Sequence, residues 1–401
     1  MNDGFATNVV HAGEGKGKPY GAVTMPIVQT STYSFADTEE IVDFLKKKEA
    51  GDPNRRDEYG RYSNPTQAAA ERKIATLEGG ERALLFSTGM SAIATVFLAL
   101  LSQGDHIVIA SATYRQTRNL VLDHLSRWGI EASFLADGSA QNLEQVIRPN
   151  TKLIFCEAPT NPYLRVIDLA YLSAVAKRHG VLTAIDSTFA TPVNLRPLEH
   201  GIDLVIHSAT KYLSGHNDLL AGAVVGSQSQ LAAIETLRGV LGGVGSPHDA
   251  YLLLRGLKTL DLRVRKQNES GQRIAEHLNE HPLVRAVYYP GLKSHPDYEV
   301  ATRQLSGFGG VVSFEIDGDK DQTSRVIDRL RIPYIGPTLG GVESIAQQQA
   351  LFISLDPKER ASSGISDSLI RYAAGIEDPE DLIADLGQAL DESAVPEVKS
   401  P

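Results

Sequence analysis

The 401-residue sequence predicts an α/β protein: a large, mostly parallel sheet domain with helices on both faces, plus a smaller α+β C-terminal domain. Its length suits two or three domains. From about Glu81, short apolar runs alternate with helical patterns, the beat of a mostly parallel sheet covered on both sides. Past Pro247 a long helical pattern ends that beat, and the remainder carries the strands and helices of a smaller unit.

Taken in order, residues 1–60 form an arm rich in Gly, Pro and Thr, with one charged helical stretch at about Glu39 to Glu49 and then the turn-prone "GDPNRRDEYGRYSNPT". Such a segment is either a disordered tail or an arm that wraps a neighbouring subunit, and its aromatics and prolines favour the second. Residues 61–256 are the large domain. Here "ALLF", "HIVIA", "KLIFC", "VLTAID" and "DLVIH" read as strands, with helices at "MSAIATVFLALL", around "RNLVLDHLSRWG", and at "DLAYLSAVAKRHG". "HDAYLLLRGLKTLDLRVRKQNESGQRIAEHLNEHP" is a helical pattern long enough to join two domains, interrupted by Gly256 and Gly271. Residues 257–401 are the C-terminal domain, with strands at "VRAVYYP", "GGVVSFEI" and "LIRYAAG" and helices at "DQTSRVIDRL" and "DPEDLIADLGQALDE". The last helix has Asp378 to cap it and Pro379 at its first position. The tail "SAVPEVKSP" should fray.

Composition narrows the function. At 42% hydrophobic and 22% charged the chain is an ordinary globular protein, and its net charge of −10 argues against a nucleic-acid or anionic-membrane partner. One cysteine, Cys156, excludes an intrachain disulfide and sits in an apolar run, so it reads as core rather than nucleophile. No stretch is long and apolar enough to span a membrane, and the start resembles neither a secretory signal nor a transit peptide, so the expected location is cytoplasmic. No metal site is expected.

The polar residues just past each apolar run matter most, because ligands of open α/β sheets bind at the carboxyl ends of strands. Those residues are Ser87-Thr88-Gly89, Thr113-Tyr114, Asn161, Asp186 with Thr188, and Ser208 to Lys211. Gly89 opens a helix, where bare N–H groups and the positive helix end suit a phosphate; small residues also open helices that bind nothing. Ser208 and Thr210 complete that cradle or merely cap their loop. Asp186 forms a structural salt bridge or pairs with a protonated ring nitrogen. Lys211 is a snorkelling surface lysine or a desolvated, nucleophilic amine. Tyr114 packs in the core or lies flat against an aromatic ligand. A phosphate cradle, a carboxylate for a pyridinium, a lysine for a Schiff base and a stacking ring together describe a pyridoxal 5'-phosphate site.

At these residues the sequence resembles the Cys/Met-metabolism family of pyridoxal-phosphate enzymes, which includes cystathionine γ-synthases, γ-lyases and β-lyases. The resemblance runs from "TNVVHAGEG" to "DLGQAL" through "YGRYSNPT", "FSTGMSAI", "EAPTNP", "AIDSTFATP", "HSATKYLSGH", "LGGVES" and "IRYAAGIED". It implies the PLP-dependent transferase fold (fold type I) and a homotetramer of two catalytic dimers. It also implies that Lys211 binds the cofactor and shuttles protons, Asp186 pairs with the pyridine nitrogen, Asn161 bonds the ring hydroxyl and Tyr114 stacks on the ring. Gly89, Met90, Ser208 and Thr210 would hold the phosphate, joined by Tyr59 and Arg61 of a neighbouring subunit; Thr188 belongs to the same cofactor set. Arg371 would clamp the substrate α-carboxylate, with Thr338 and Glu343 on the substrate side. Two departures stand out: "TYRQTR", with Arg115 and Arg118, is similar to the plant-type cystathionine γ-synthase pattern, and Thr338 replaces the usual serine.

The reaction this implies is γ-replacement, joining an activated homoserine (O-phospho- or O-succinyl-) to cysteine to give cystathionine, as in methionine biosynthesis. Arg115, Arg118 and the pair Arg55-Arg56 are cationic candidates for the anionic leaving group or are plain solvated charge. The alternatives are a γ-lyase of the same family, giving a 2-oxo acid and ammonia, and a non-catalytic binding module.

Overall fold

The computed structural model describes residues 4–52, 56–110, 112–135, 142–362 and 364–393; Arg55 and most of the C-terminal tail lie outside the described residues. Two sheets organise the chain. The first contains β1 (Arg82–Phe86), β2 (His106–Ala110), β3 (Glu131–Leu135), β4 (Thr151–Glu157), β5 (Leu182–Asp186), β6 (Leu204–His207) and β7 (Gly222–Gly226). Their order is β1-β7-β6-β5-β4-β2-β3. Only β7 runs antiparallel to its neighbours, so the mostly parallel sheet expected from the alternating pattern is present. The second sheet contains β8 (Val284–Tyr288), β9 (Val311–Ile316), β10 (Tyr334–Ile335), β11 (Ile345–Gln348) and β12 (Leu369–Ala373). Its order is β10-β11-β12-β9-β8, antiparallel except at β10–β11.

Apart from the edge strand β3, the strands of the first sheet are buried on both faces. Along β4 to β6, Ile154, Ile185 and Val205 feed one apolar layer while Leu153, Phe155, Ala184, Leu204 and Ile206 feed the other. Each of these side chains except that of Ala184 is worth roughly 1.5–3 kcal/mol relative to exposure. That packing makes the sheet a stiff base, and side chains at its carboxyl edge inherit its rigidity. Phe97, on the helix Gly89–Leu100, meets Phe155 edge-on at 5.2 Å and locks that helix against β4.

Helix boundaries follow local chemistry. Asn64 caps the helix Pro65–Glu78 by accepting from the Thr66 and Gln67 N–H groups, Pro65 starts it, and Gly79 in the left-handed region ends it. Asp378 accepts from Glu380 N–H at 3.0 Å at the start of Pro379–Ser393, as its sequence implied. The long helical pattern is two helices, Pro247–Leu257 and Leu260–Glu280. Gly256 belongs to the first and is required by space: a Cβ there would lie 2.1 Å from the Ser214 carbonyl oxygen, three residues past Lys211. Gly271 does not interrupt the second helix, where it sits beside the Gly309 carbonyl.

At the N-terminus, fully buried Lys73 pairs with Glu14 at 3.0 Å and donates to the carbonyls of Val9 and Val10, and Lys258 reaches Glu14 at 3.1 Å. The first helix, Phe5–His11, is thereby fastened to its own chain. The helix Thr38–Glu49 instead leaves Ile41, Val42 and Leu45 exposed. Among the described residues, no helix is long and apolar enough to cross a membrane.

Candidate active site

Strands β1, β2, β4, β5 and β6 all point the same way, because β1 and β6 are both antiparallel to β7 and the rest are parallel. Their carboxyl ends therefore share one edge of the sheet, and a cavity of about 230 Å³ opens there. Its walls collect Gly89 and Met90 after β1, Tyr114 after β2, Glu157 and Asn161 from β4, Asp186 and Thr188 from β5, and Ser208, Thr210 and Lys211 after β6. Leu339 and Arg371 close it from the second sheet. The cofactor-side residues expected from the sequence are thus brought together, apart from Tyr59 and Arg61.

Lys211 is mostly buried, and its Nζ donates to Thr338 Oγ1 at 2.7 Å. Burial, helped by the positive charge of Arg371, presses the amine down to about 8, so a substantial neutral fraction exists near neutral pH. Asp186 ends β5, and its Oδ1 accepts from the Thr188 N–H at 3.0 Å and hydroxyl at 2.5 Å. Burial raises this carboxyl, and the two Thr188 bonds oppose the rise. Thr188 Oγ1 also accepts from Ser208 N–H at 2.8 Å, which ties the β5 and β6 loops together.

Sequence reasoning missed Glu157. It is the last residue of β4, paired in register with Asp186, and its carboxylate accepts from the backbone N–H of Tyr114. The same signal that selected Asp186, an acid closing an apolar run, was available for it. Gln347 was also missed. On β11 it stands opposite Arg371 of β12, and its Oε1 accepts from the guanidinium at 3.1 Å.

Arg371 is 4% exposed. It donates to Asn161 Oδ1 at 3.2 Å and to the Thr338 carbonyl at 2.9 Å, while its buried Nε has no hydrogen-bond partner among the described residues. Burial lowers the guanidinium to about 10, which leaves it charged at neutral pH. An orphaned cationic donor in a dry wall is costly, and an incoming carboxylate would relieve it.

A second cavity of about 840 Å³ shares Tyr114, Asn161, Pro337 and Arg371 with the first. Arg115 and Arg118 line it. Arg115 donates to the Ile353 carbonyl at 3.0 Å, and the Arg118 guanidinium lies 5.5 Å from the Phe134 ring centre. Four other expected residues lie elsewhere. Glu343 accepts from Asn217 at 2.8 Å and lines neither cavity. Tyr59 is 42% exposed, and Arg61 lies over Tyr59 and Tyr62 while donating to the Gly239 carbonyl. Arg56 is held by Glu40 and the Ser34 carbonyl within the arm. Cys156 is buried in β4 with its thiol raised to about 12, as suits a core residue.

The residues around the smaller cavity fit pyridoxal phosphate. Thr88 caps the helix Gly89–Leu100 by accepting from Ser91 N–H. The N–H groups of Gly89 and Met90 lie in its first turn, where no intrahelical carbonyl reaches them. A Cβ at position 89 would stand 2.9 Å from Ser208 Cβ, so only glycine leaves the gap between helix start and β6 loop open for an anion. Thr210 qualifies the picture: its hydroxyl is already engaged with the Ala221 backbone. Across the cavity stand a buried acid and a depressed amine, the donor set a pyridinium aldehyde requires.

Comparison with known proteins agrees with this chemistry. The family model described as "Cys/Met metabolism PLP-dependent enzyme" matches residues 6–391. "Cystathionine gamma-synthase 1, chloroplastic" of Arabidopsis thaliana is 47% identical over 395 residues, covering 97% of this chain and 69% of that protein. "Cystathionine gamma-lyase" of Bacillus subtilis is 41% identical over 388 residues, covering 96% of this chain and 98% of that one. Among solved structures, metB from Corynebacterium glutamicum superposes with a TM-score of 0.89 at 34% identity, covering 98% of each chain.

Proposed function

Because the chain belongs to the Cys/Met metabolism PLP-dependent enzymes, we propose that it catalyses γ-replacement, joining an O-activated homoserine to cysteine to give cystathionine. The observation that carries this reading is the cationic wall: Arg115 and Arg118 line the 840 Å³ cavity that continues from Tyr114 and Arg371. Guanidiniums suit an anionic leaving group such as phosphate or succinate, and an acetyl ester would make little use of them. The 47% identity to a plant protein named cystathionine gamma-synthase supports the same choice.

When bound, pyridoxal phosphate supplies an electron sink for the charge that develops at the substrate carbons. The chain's own groups do the rest. Gly89 and Met90 N–H groups with Ser208 would hold the phosphate, Thr210 joining them only by giving up its bonds to Ala221, and Asp186, braced by Thr188, would hold the ring nitrogen protonated. Asn161 would bond the ring hydroxyl and Tyr114 would cover the ring face. Arg371, oriented by Asn161 and Gln347, takes the substrate α-carboxylate on its spare donor. Lys211 Nζ, with its depressed affinity for protons, removes the proton from the substrate α-carbon and returns it later in the cycle. Thr338 Oγ1 parks the amine between those steps.

Outside the active site, residues 1–60 form an arm to a neighbouring subunit, 61–256 the cofactor domain and 257–401 the C-terminal domain, in a homotetramer built from two catalytic dimers. The exposure of Tyr59 and of the apolar face of Thr38–Glu49 supports the arm. Tyr59 and Arg61 then complete the phosphate site of the adjacent protomer.

The test is a panel of phospho-, succinyl- and acetyl-homoserine, each with and without cysteine. Cystathionine together with released phosphate or succinate is the expected result; no thiol adduct from any activated homoserine rejects the proposal. Gamma-elimination is the second reading, favoured by the 41% identity to the Bacillus subtilis protein, and a 2-oxo acid formed rapidly without thiol would select it.

A further inference from the structure

Glu157 takes no part in the roles above, yet it meets two of the loops that carry assigned groups. It ends β4 directly beside Asp186 on β5, one strand spacing away, and both acids face the same cavity. It is 5% exposed. Its carboxylate accepts from the backbone N–H of Tyr114 on the loop after β2, and the backbone N–H of Asn161 on the loop after β4 stabilises its charge. The flat ring and the amide that flank the cavity therefore hang from one buried side chain.

We propose that Glu157 is a positioning residue for the cofactor ring, fixing the loops that carry Tyr114 and Asn161 to the strand that stands beside Asp186. What matters is reach: the carboxylate must extend far enough to hold the Tyr114 N–H while staying close to that of Asn161. Without it, two donors are left unpaired in a nearly dry wall, and the loops relax to find other partners. Charge matters less. Burial and the neighbouring Asp186 push Glu157 well above the ordinary carboxylate range, so a neutral side chain of the same shape is a close substitute.

Two replacements separate reach from acidity. Glu157→Gln keeps the length and an accepting oxygen but loses the acid; Glu157→Asp keeps the acid but retracts it by one methylene. Holoprotein of each, with wild type, is compared by visible-region circular dichroism of the bound cofactor, by cofactor affinity in equilibrium dialysis and by thermal melting. The expected result is a wild-type-like Glu157→Gln, with affinity within about threefold and the dichroic band retained. Glu157→Asp should lose most of that band and bind cofactor roughly tenfold or more weakly, the consequence of stranded buried donors. A normal Glu157→Asp overturns the proposal, as does a Glu157→Gln damaged as badly as Glu157→Asp. If Glu157→Asp does not accumulate folded, Glu157→Gln decides: a retained band upholds the proposal and a lost band overturns it. The inference rests on the ring contacts proposed for Tyr114 and Asn161. A wild-type protein without a dichroic cofactor band would fail that reading, whereas a normal wild type with an unaffected Glu157→Asp fails only the role of Glu157.

Discussion

Replacing Lys211 with methionine should stabilise the cofactor-free protein at neutral pH, with a gain that fades as the solution becomes alkaline. An unfolded lysine titrates near 10.5, but burial and the charge of Arg371 hold Lys211 to about 8 in the fold. That gap of about 2.5 units, at ~1.36 kcal/mol per unit, costs roughly 3 kcal/mol whenever the amine must be folded as an ammonium. The direction follows from proton binding. Between pH 8 and 10.5 the unfolded chain holds the proton and the folded chain does not, so stability rises with pH across that window. The contribution is fully present above the unfolded value and is lost as pH falls to about 8. Methionine, apolar and of similar length, escapes the cost but leaves the Thr338 hydroxyl without its 2.7 Å partner. The lost bond takes back roughly 1 kcal/mol, for a net gain of about 2 kcal/mol near neutral pH. By about pH 9.5 some 1.5 units have been relieved, ~2 kcal/mol, and the gain should be close to zero. Urea unfolding of both cofactor-free proteins, at matched concentration and at the two pH values, measures this. A difference between them that is constant with pH, or that grows on the alkaline side, refutes the reasoning.

Arg371→Lys should raise KM for the amino-acid substrate roughly tenfold or more, because an ammonium lacks the planar fork that meets Asn161, Gln347 and the Thr338 carbonyl together. Steady-state kinetics that leave KM within about twofold would reject the clamp assigned to it. Gly256→Ala should destabilise by about 1–3 kcal/mol, since its Cβ would land 2.1 Å from the Ser214 carbonyl and push a helix off the loop that follows Lys211. An unshifted melting temperature would show that the helix can give way freely.

The sequence disclosed the middle of the first sheet better than its flanks. β2, β4, β5 and β6 announce themselves as apolar runs, and each is followed, at its end or a few residues beyond, by a residue on the cavity wall. β7 was missed because "GAVVG" is short and bounded by glycines that read as a loop. β3 was missed because "EASFL" is only half buried and mixes polar with apolar residues. β10 has two exposed residues, and β11 carries two glutamines, so neither shows strand patterning. The pattern around "RNLVLDHLSRWG" promised one helix. The backbone instead widens through Leu120–His124 and tightens through Leu125–Trp128, a change that side-chain periodicity does not encode. Lys211, Asp186, Asn161 and Tyr114 were legible because chemistry-bearing residues sat where strands stop. Glu157 carries the same signal as Asp186, an acid closing an apolar run, whereas Gln347 does not, since an amide inside a strand takes its meaning from what lies across the sheet.

The placement of β7 sets a timetable. β1 has no strand partner in the sheet except β7, which is wedged between it and β6. During synthesis β1 emerges before the other strands of the sheet, yet it has no strand to pair with until residue 226 has left the ribosome. The glycine corner at the end of β1 is therefore among the earliest segments translated and the last part of that rim to be installed. Truncated products that stop short of residue 226 carry the lysine without the corner opposite it.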